Sequence, residues 1–148
     1  MTIINNSKIF LEGIYGDATV KVPASSTYAT GTVLAHNSDG DLVAYSTDND
    51  TAITIGITLD VDGASLSTAT GTAEALAAFI SEPTYILAQD LVNEETSAQE
   101  FSLARVFECG AVNKDKLIFV KAADATDVTV LSKLKNNGFN LAQVSSLT

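Results

Sequence analysis

Apolar and polar residues alternate in short runs along most of the chain, and clusters of Asp, Asn, Gly and Ser separate the runs. This pattern is typical of short strands joined by tight turns. The clearest case is GTVLAHNSDGDLVAYS, in which Val33 and Leu34 begin one arm of a predicted hairpin and Leu42–Tyr45 form the other. Asn37–Asp41 supplies the residues that a left-handed turn favours. The pattern therefore predicts a mainly β fold.

Further strands are predicted where apolar residues recur at every second position or form compact runs. Residues 90–100, between the predicted strands at 84–89 and 102–112, are predicted to form a polar, acidic loop. The predicted strands are residues 18–22, which Pro23 ends, 53–59, 84–89, 102–112, 116–121 and 139–144.

One helix is predicted near the end of the chain. Val128, Leu131 and Leu134 lie at helical spacing, and Thr126 or Asp127 can cap the first turn. The Ala-rich stretch from Gly63 to Ser81 fits either a two-turn helix or a strand, and the sequence leaves this open. The fold class is therefore mainly β with one or two short helices, an α+β arrangement.

Composition excludes several classes of protein. The chain has 148 residues, the size of one domain, and 46% of them are hydrophobic, which argues against a disordered tail. Its net charge of −10, with eight Lys and Arg scattered singly, argues against nucleic-acid binding. The N-terminus lacks the basic start and apolar run of a signal peptide or membrane anchor. Cys109 has no cysteine partner, and its apolar surroundings predict a core position.

Catalytic and metal-binding patterns are missing from the sequence. His36 is the only histidine, so it cannot form a usual zinc site or hydrolytic triad with the remote Cys109. Asp60 and Asp62 begin a loop that fails the spacing of a calcium-binding EF-hand. We therefore expect no enzymatic activity, no cofactor and no metal.

Three blocks of sequence, in order, resemble the lambda-type family of bacteriophage head decoration proteins. The first runs from VKVPASSTYATGTVL to TAITIGIT, and the second from TYILAQ through the acidic loop to a G-x-V-N-x-D-x-L run carried by Gly110–Leu117. The third is the predicted helix followed by Gly138 and an apolar strand. The resemblance covers about Val20 to Val144, and residues 61–83 depart from it as a candidate insertion.

The resemblance implies a small β-barrel or β-sandwich-like domain over residues 18–148, with a C-terminal helix. It also implies a homotrimer that binds the major capsid protein on the outer surface of an expanded phage head, and so a virion protein made in the host cytoplasm. Neither nucleic acid nor membrane is an expected partner. Residues 1–17 form either a capsid-binding arm or the first strand, and the apolar candidates for the arm are Ile3, Ile4, Ile9 and Phe10.

A carbohydrate-binding or adhesive module is the alternative that the residues leave open. Its stacking surfaces would come from the four tyrosines, although the absence of Trp weakens this interpretation. The tyrosines are Tyr15, Tyr28, Tyr45 and Tyr85.

Overall fold

The computed structural model describes residues 8–53, 60–61, 64–65 and 76–142. These residues are mainly β with one α-helix near the C-terminus, as the sequence predicts. The strands are β1 (Phe10–Val22), β2 (Ser26–Tyr28), β3 (Val33–His36), β4 (Leu42–Ala44), β5 (Thr51–Ile53), β6 (Asp60–Val61), β7 (Ala64–Ser65), β8 (Leu76–Phe79), β9 (Pro83–Leu87), β10 (Leu91–Asn93), β11 (Gln99–Asn113) and β12 (Phe139–Ala142); the helix α1 is Val128–Asn136. The described residues fall into two compact units: those within 1–49 and 81–148 form the larger one, and those within 50–80 form the smaller one.

A six-stranded sheet forms the larger unit. Its order is β1-β11-β9-β3-β4, and β12 pairs with the far end of β11. The strands pair antiparallel except β12, which runs parallel to β11. The β1–β11 ladder is the longest, extending from the pair Phe10 and Val112 to the pair Val22 and Gln99.

The sheet carries a hydrophobic core on each face, because successive side chains of a strand point to opposite faces. Phe107 belongs to the core that α1 covers with Val130 and Leu134, whereas its neighbour Val106 belongs to the opposite core with Leu91 of β10. Burial on both faces explains why the central strands read as nearly continuous apolar runs.

The predicted hairpin is confirmed, with β3 and β4 paired antiparallel. The side chain of Asn37 accepts hydrogen bonds from the backbone N–H groups of Asp39 and Asp41 at 3.0 and 2.9 Å. Gly40 adopts φ +84°, a conformation that residues with a side chain rarely adopt. Local turn chemistry therefore sets this hairpin.

The predicted helix is also confirmed, together with its cap. Asp127 precedes α1, and its carboxylate accepts hydrogen bonds from the N–H groups of Thr129 and Val130. These are donors that the first helical turn leaves without a partner. Val130 and Leu134 are buried, whereas Leu131 is partly buried at the edge of the core.

Several details correct the sequence prediction. Residues 116–121 do not form a strand: a single bridge joins Ile118 to Thr32, and Lys114–Lys116 forms a 3-10 turn. The loop 90–100 contains β10, which pairs with β2. The first strand begins at Phe10, well before residue 18. Cys109 is half-buried at the surface of β11, not in the core.

The C-terminal region of the larger unit holds both segments that lead to residues 50–80. The buried carboxylate of Asp124 accepts hydrogen bonds from the N–H and hydroxyl groups of Thr47 at 3.2 and 2.9 Å. From α1 and its C-terminal cap, Lys133 donates to the carbonyl of Ser81 at 3.2 Å and Asn137 to that of Pro83 at 2.7 Å.

Within residues 50–80 the structure describes two strand pairs, β5 with β8 and β6 with β7, both antiparallel. Of the stretch 63–81, residues 64–65 and 76–79 are strands, whereas residue 63 and residues 66–75 lie outside the described residues. Ile55, Ile57 and Leu59 of the predicted alternating strand also lie outside them. The unit overlaps the candidate insertion at 61–83 but begins at residue 50.

Candidate interaction surface

The N-terminal half of β1 lies along one edge of the sheet. Among the described strands, β1 pairs only with β11, so its other side carries N–H and C=O groups with no neighbouring strand. Ile14 and Tyr15 on this half are 58% and 42% exposed. An open edge with apolar side chains is a surface onto which another strand can add.

The structure divides the four residues proposed for an arm. Ile9 and Phe10 are half-buried parts of the body: the carbonyl of Ile9 accepts a hydrogen bond from Asn113 N–H at 2.8 Å, and Phe10 begins β1. Ile3 and Ile4 lie outside the described residues. An arm that leaves the body would therefore consist of the residues before Lys8.

An aromatic cluster fixes the start of β1. The ring of Phe10 lies 4.8 Å from that of Phe107 and 5.7 Å from that of Tyr15. The guanidinium of Arg105 stacks over the Tyr15 ring at 4.6 Å, a favourable cation–π contact. These contacts therefore hold the start of β1 firmly against the sheet, while no described strand pairs with the side of β1 that faces away from β11.

The G-x-V-N-x-D-x-L run makes the turn that ends β11. Gly110 has φ +131°, and a Cβ there would lie 2.2 Å from the carbonyl oxygen of Glu12. Val112 is fully buried, and the buried Asn113 accepts a hydrogen bond from Asp115 N–H at 3.2 Å. Leu117 returns to the core. Gly110, Val112, Asn113 and Leu117 therefore each have a structural task, whereas Asp115 contributes its backbone N–H.

A polar groove of about 440 Å³ lies between β1 and the β3–β4 hairpin. The ammonium of Lys21 forms an ion pair with Asp41 at 3.1 Å across it. The hydrogen bond to Asp41 raises the pKa of Lys21 above its usual value. The exposed His36 lies here at the end of β3, as predicted, and the other lining residues include Asp17, Tyr85 and Glu100.

The four tyrosines do not form one surface for stacking. Tyr45 is fully buried, and Tyr28 is half-buried, which raises the pKa of its hydroxyl. Tyr15 is exposed at the sheet edge under Arg105, whereas Tyr85 lines the polar groove.

A bulge in β11 exposes a residue that the sequence does not single out. Ser102 and Leu103 stand where β1 has only Thr19, because the register shifts between the pairs Ala18–Ala104 and Val20–Phe101. Leu103 is 76% exposed and has φ +60°, which is unusual for a bulky residue. No local sequence signal marks this position.

Within the described ranges no three His, Cys, Asp or Glu side chains lie where they could jointly hold a metal ion. Within the same ranges, no helix has the length and apolar character needed to cross a membrane.

No known protein-family model matches this chain, and no curated protein sequence matches it.

Proposed function

We propose that this chain is a head decoration protein of the lambda type, which binds the outer surface of an expanded phage head and stabilises it. The observation that carries the proposal is the resemblance of three sequence blocks in the family's order. The residues of the G-x-V-N-x-D-x-L run support it further, because they are the ones that end β11 and start the path to the C-terminal helix.

The proposed partner is the major capsid protein, and the proposed working form is a homotrimer. A protein that binds only the assembled lattice stabilises it by mass action at every occupied site. A trimer touches several capsid subunits at once, so modest contacts at each subunit combine through effective concentration.

The N-terminal residues before Lys8 are the proposed capsid-binding arm. The described part of the body begins at Lys8, beside an open strand edge, and Ile3 and Ile4 give the preceding residues apolar side chains that can add to a sheet on the capsid. Ile9 and Phe10 would anchor the arm to the body through the contacts described above.

Cryo-electron microscopy of expanded, undecorated heads mixed with the purified protein tests the proposal. We expect added density at three-fold positions, and a mass measurement of the free protein reports whether the trimer forms before binding. Bare heads at saturating protein would overturn it.

Deleting Met1–Ser7 tests the arm by itself, because the deletion stops short of β1 and leaves the packing of Ile9 and Phe10 in place. We expect an unchanged melting temperature and loss of head binding. A truncated protein that still decorates heads would leave the decoration role standing without the arm.

Carbohydrate binding is the second candidate, and the polar groove between β1 and the hairpin is the observation that favours it. Tyr85 offers an aromatic ring there, and Asp17 and Glu100 offer carboxylates that can accept hydrogen bonds from hydroxyl groups. A glycan array distinguishes the candidates: a hit that Tyr85→Ala abolishes, with no binding to heads, would favour this function.

A further inference from the structure

The strand order of the sheet ends at β4, and the C-terminal half of β1 faces the β3–β4 hairpin across the polar groove. Next to β4, the start of β3 is bordered by the segment Leu117–Val120, which is extended up to a bend at Val120 and which we call the lysine-flanked segment. Ile118 N–H donates to the carbonyl of Gly31 at 2.9 Å, and its own carbonyl accepts from Val33 N–H at 3.1 Å. The segment therefore occupies the position of an edge strand beside the start of β3.

On the outer side of this segment, the described part of the chain provides no backbone partner. Ile118 directs its N–H and C=O toward β3, so those of the next residue point to the other side. Among the described residues, no hydrogen bond joins the backbone of Phe119 to another part of the chain. One donor and one acceptor are thus available to an added strand.

The side chains of the segment alternate as they do in a strand. Leu117 and Phe119 pack against the core, and the Phe119 ring lies 6.4 Å from that of the buried Tyr45. Ile118 and Val120 point outward and are 42% and 67% exposed. The inner residues hold the backbone in place, and the outer ones present apolar surface to a partner.

Unpaired lysines lie at one end of this edge. Residues 114–121 hold three lysines and one aspartate in a chain whose net charge is −10. Lys121 is paired with Asp48 and lies near Asp124 and Asp127, whereas Lys114 and Lys116 form no ion pair among the described residues. Complementarity therefore favours a partner strand that carries carboxylates.

We infer that the lysine-flanked segment is a docking site for an extended segment of the capsid protein in which apolar and acidic side chains alternate. The added strand bonds to the Phe119 backbone, its apolar side chains contact Ile118 and Val120, and its carboxylates pair with Lys114 and Lys116. The inference rests on the proposed function, and it adds a contact surface near the start of the body, since the side chain of Ile9 and the carbonyl of Lys116 both lie next to Gly31.

The test compares three variants with the wild-type protein in binding to undecorated heads, measured by co-sedimentation over a range of protein concentrations. Val120→Glu adds a charge that repels an acidic strand, whereas Val120→Lys removes the same apolar contact but keeps the attraction. Val92→Glu is the matched control, because Val92 is 52% exposed on β10 beside Glu94 and Glu95. Thermal unfolding of each variant checks its fold.

We expect Val120→Glu to weaken head binding roughly tenfold or more, Val120→Lys to weaken it less, and Val92→Glu to leave it unchanged. Wild-type and Val120→Glu proteins that bind equally well would overturn the inference and leave the decoration role intact. Equal losses in both Val120 variants would overturn the acidic character of the partner. Wild-type protein that fails to bind heads would overturn the proposed function and this inference together.

A photo-crosslinking amino acid placed at Val120 gives an independent readout. We expect a covalent product with the capsid protein on decorated heads, and none when the same amino acid replaces Val92. Crosslinks from position 92 alone would place the contact elsewhere and overturn the inference.

Discussion

At the scale of single residues, close backbone approach and buried polar groups decide which positions tolerate change. Gly110 lies directly across from Gly13 in the β1–β11 ladder, and a Cβ on Gly110 would come within 2.5 Å of the Gly13 Cα. Gly40 also has positive φ, yet nothing lies within 4 Å of the place a Cβ would occupy. Comparing substitutions at the two glycines therefore separates the cost of backbone strain from the cost of steric overlap.

Gly110→Ala should lower the free energy of unfolding by about 3 kcal/mol, because strain and overlap act together. Gly40→Ala should cost about 1 kcal/mol, since only the strain remains. Urea denaturation of both variants measures the difference. Equal losses would mean that β1 and β11 can move apart at this point without cost.

Asn93→Ala should lower the free energy of unfolding by about 2–4 kcal/mol. The buried amide of Asn93 donates to the carbonyls of Val22, Pro23 and Ser97, and its oxygen accepts from Glu95 N–H. Removing the side chain takes all four of these hydrogen bonds away. Asn140→Ala, at an exposed position, is the control and should change stability by less than about 0.5 kcal/mol.

At the scale of single residues, the sequence correctly predicted the features that depend on residues close to one another in the chain. The turn at Asn37–Asp41 and the cap at Asp127 follow from side chains that bond to the backbone a few residues away, so both were predicted correctly. The positive φ of Leu103 depends on the register of β11 against a strand that lies some 80 residues earlier, since Leu103 opposes Thr19. Neither its own identity nor its neighbours signal that bulge.

At the scale of elements, the main error concerns residues 116–121. Their alternation is that of a strand, and the structure keeps the alternation, with Leu117 and Phe119 inward and Ile118 outward. A strand also needs a partner along its length, and this segment touches its neighbour at one bridge. The topology of the fold sets which strands pair, and the periodicity of apolar residues carries no information about that topology.

The ion pair that links β1 to the hairpin predicts a pH dependence. The pKa of Lys21 is raised above 10.5 by Asp41, so the stabilising effect of this pair is complete below the unfolded pKa and is lost as the pH rises through the folded pKa. In an NMR titration of the lysine side chains, Asp41→Asn should lower the Lys21 midpoint toward 10.5.

Lys121 serves as the internal control in that titration, because Asp48 raises its pKa by the same kind of hydrogen bond. Its midpoint should not move in Asp41→Asn. A Lys21 midpoint that also stays unchanged would mean that the pair does not persist in solution.

At the scale of the whole molecule, the sequence marked residues 61–83 as a candidate insertion in a chain with one core, but it did not predict a separate unit that begins at residue 50. Nothing in the composition marks a boundary at that residue. The anchors that fix the segments on either side of residues 50–80 lie entirely in the larger unit, at Asp124, Lys133 and Asn137. The larger unit therefore uses its own residues to hold the two chain segments that flank residues 50–80.

Replacing residues 50–80 by a flexible Gly-Ser linker should leave the larger unit folded, with its thermal transition cooperative and its helix signal retained. Circular dichroism and a two-dimensional NMR spectrum check this. Asp124→Ala in the shortened chain, which removes the anchor at Thr47, should lower its stability by about 1–3 kcal/mol. A shortened chain whose NMR signals lose their dispersion would contradict the prediction that the larger unit folds by itself.

The pairing of β1 with β11 also sets the order in which the chain can fold during translation. Phe10 pairs with Val112, 102 residues later, so the first strand leaves the ribosome long before its partner exists. At a synthesis rate of 5–20 residues per second, that strand waits for about 5–20 s. Contacts this distant in sequence slow folding. Nascent chains shorter than about 113 residues should therefore expose the apolar start of β1, a natural target for chaperones near the ribosome exit.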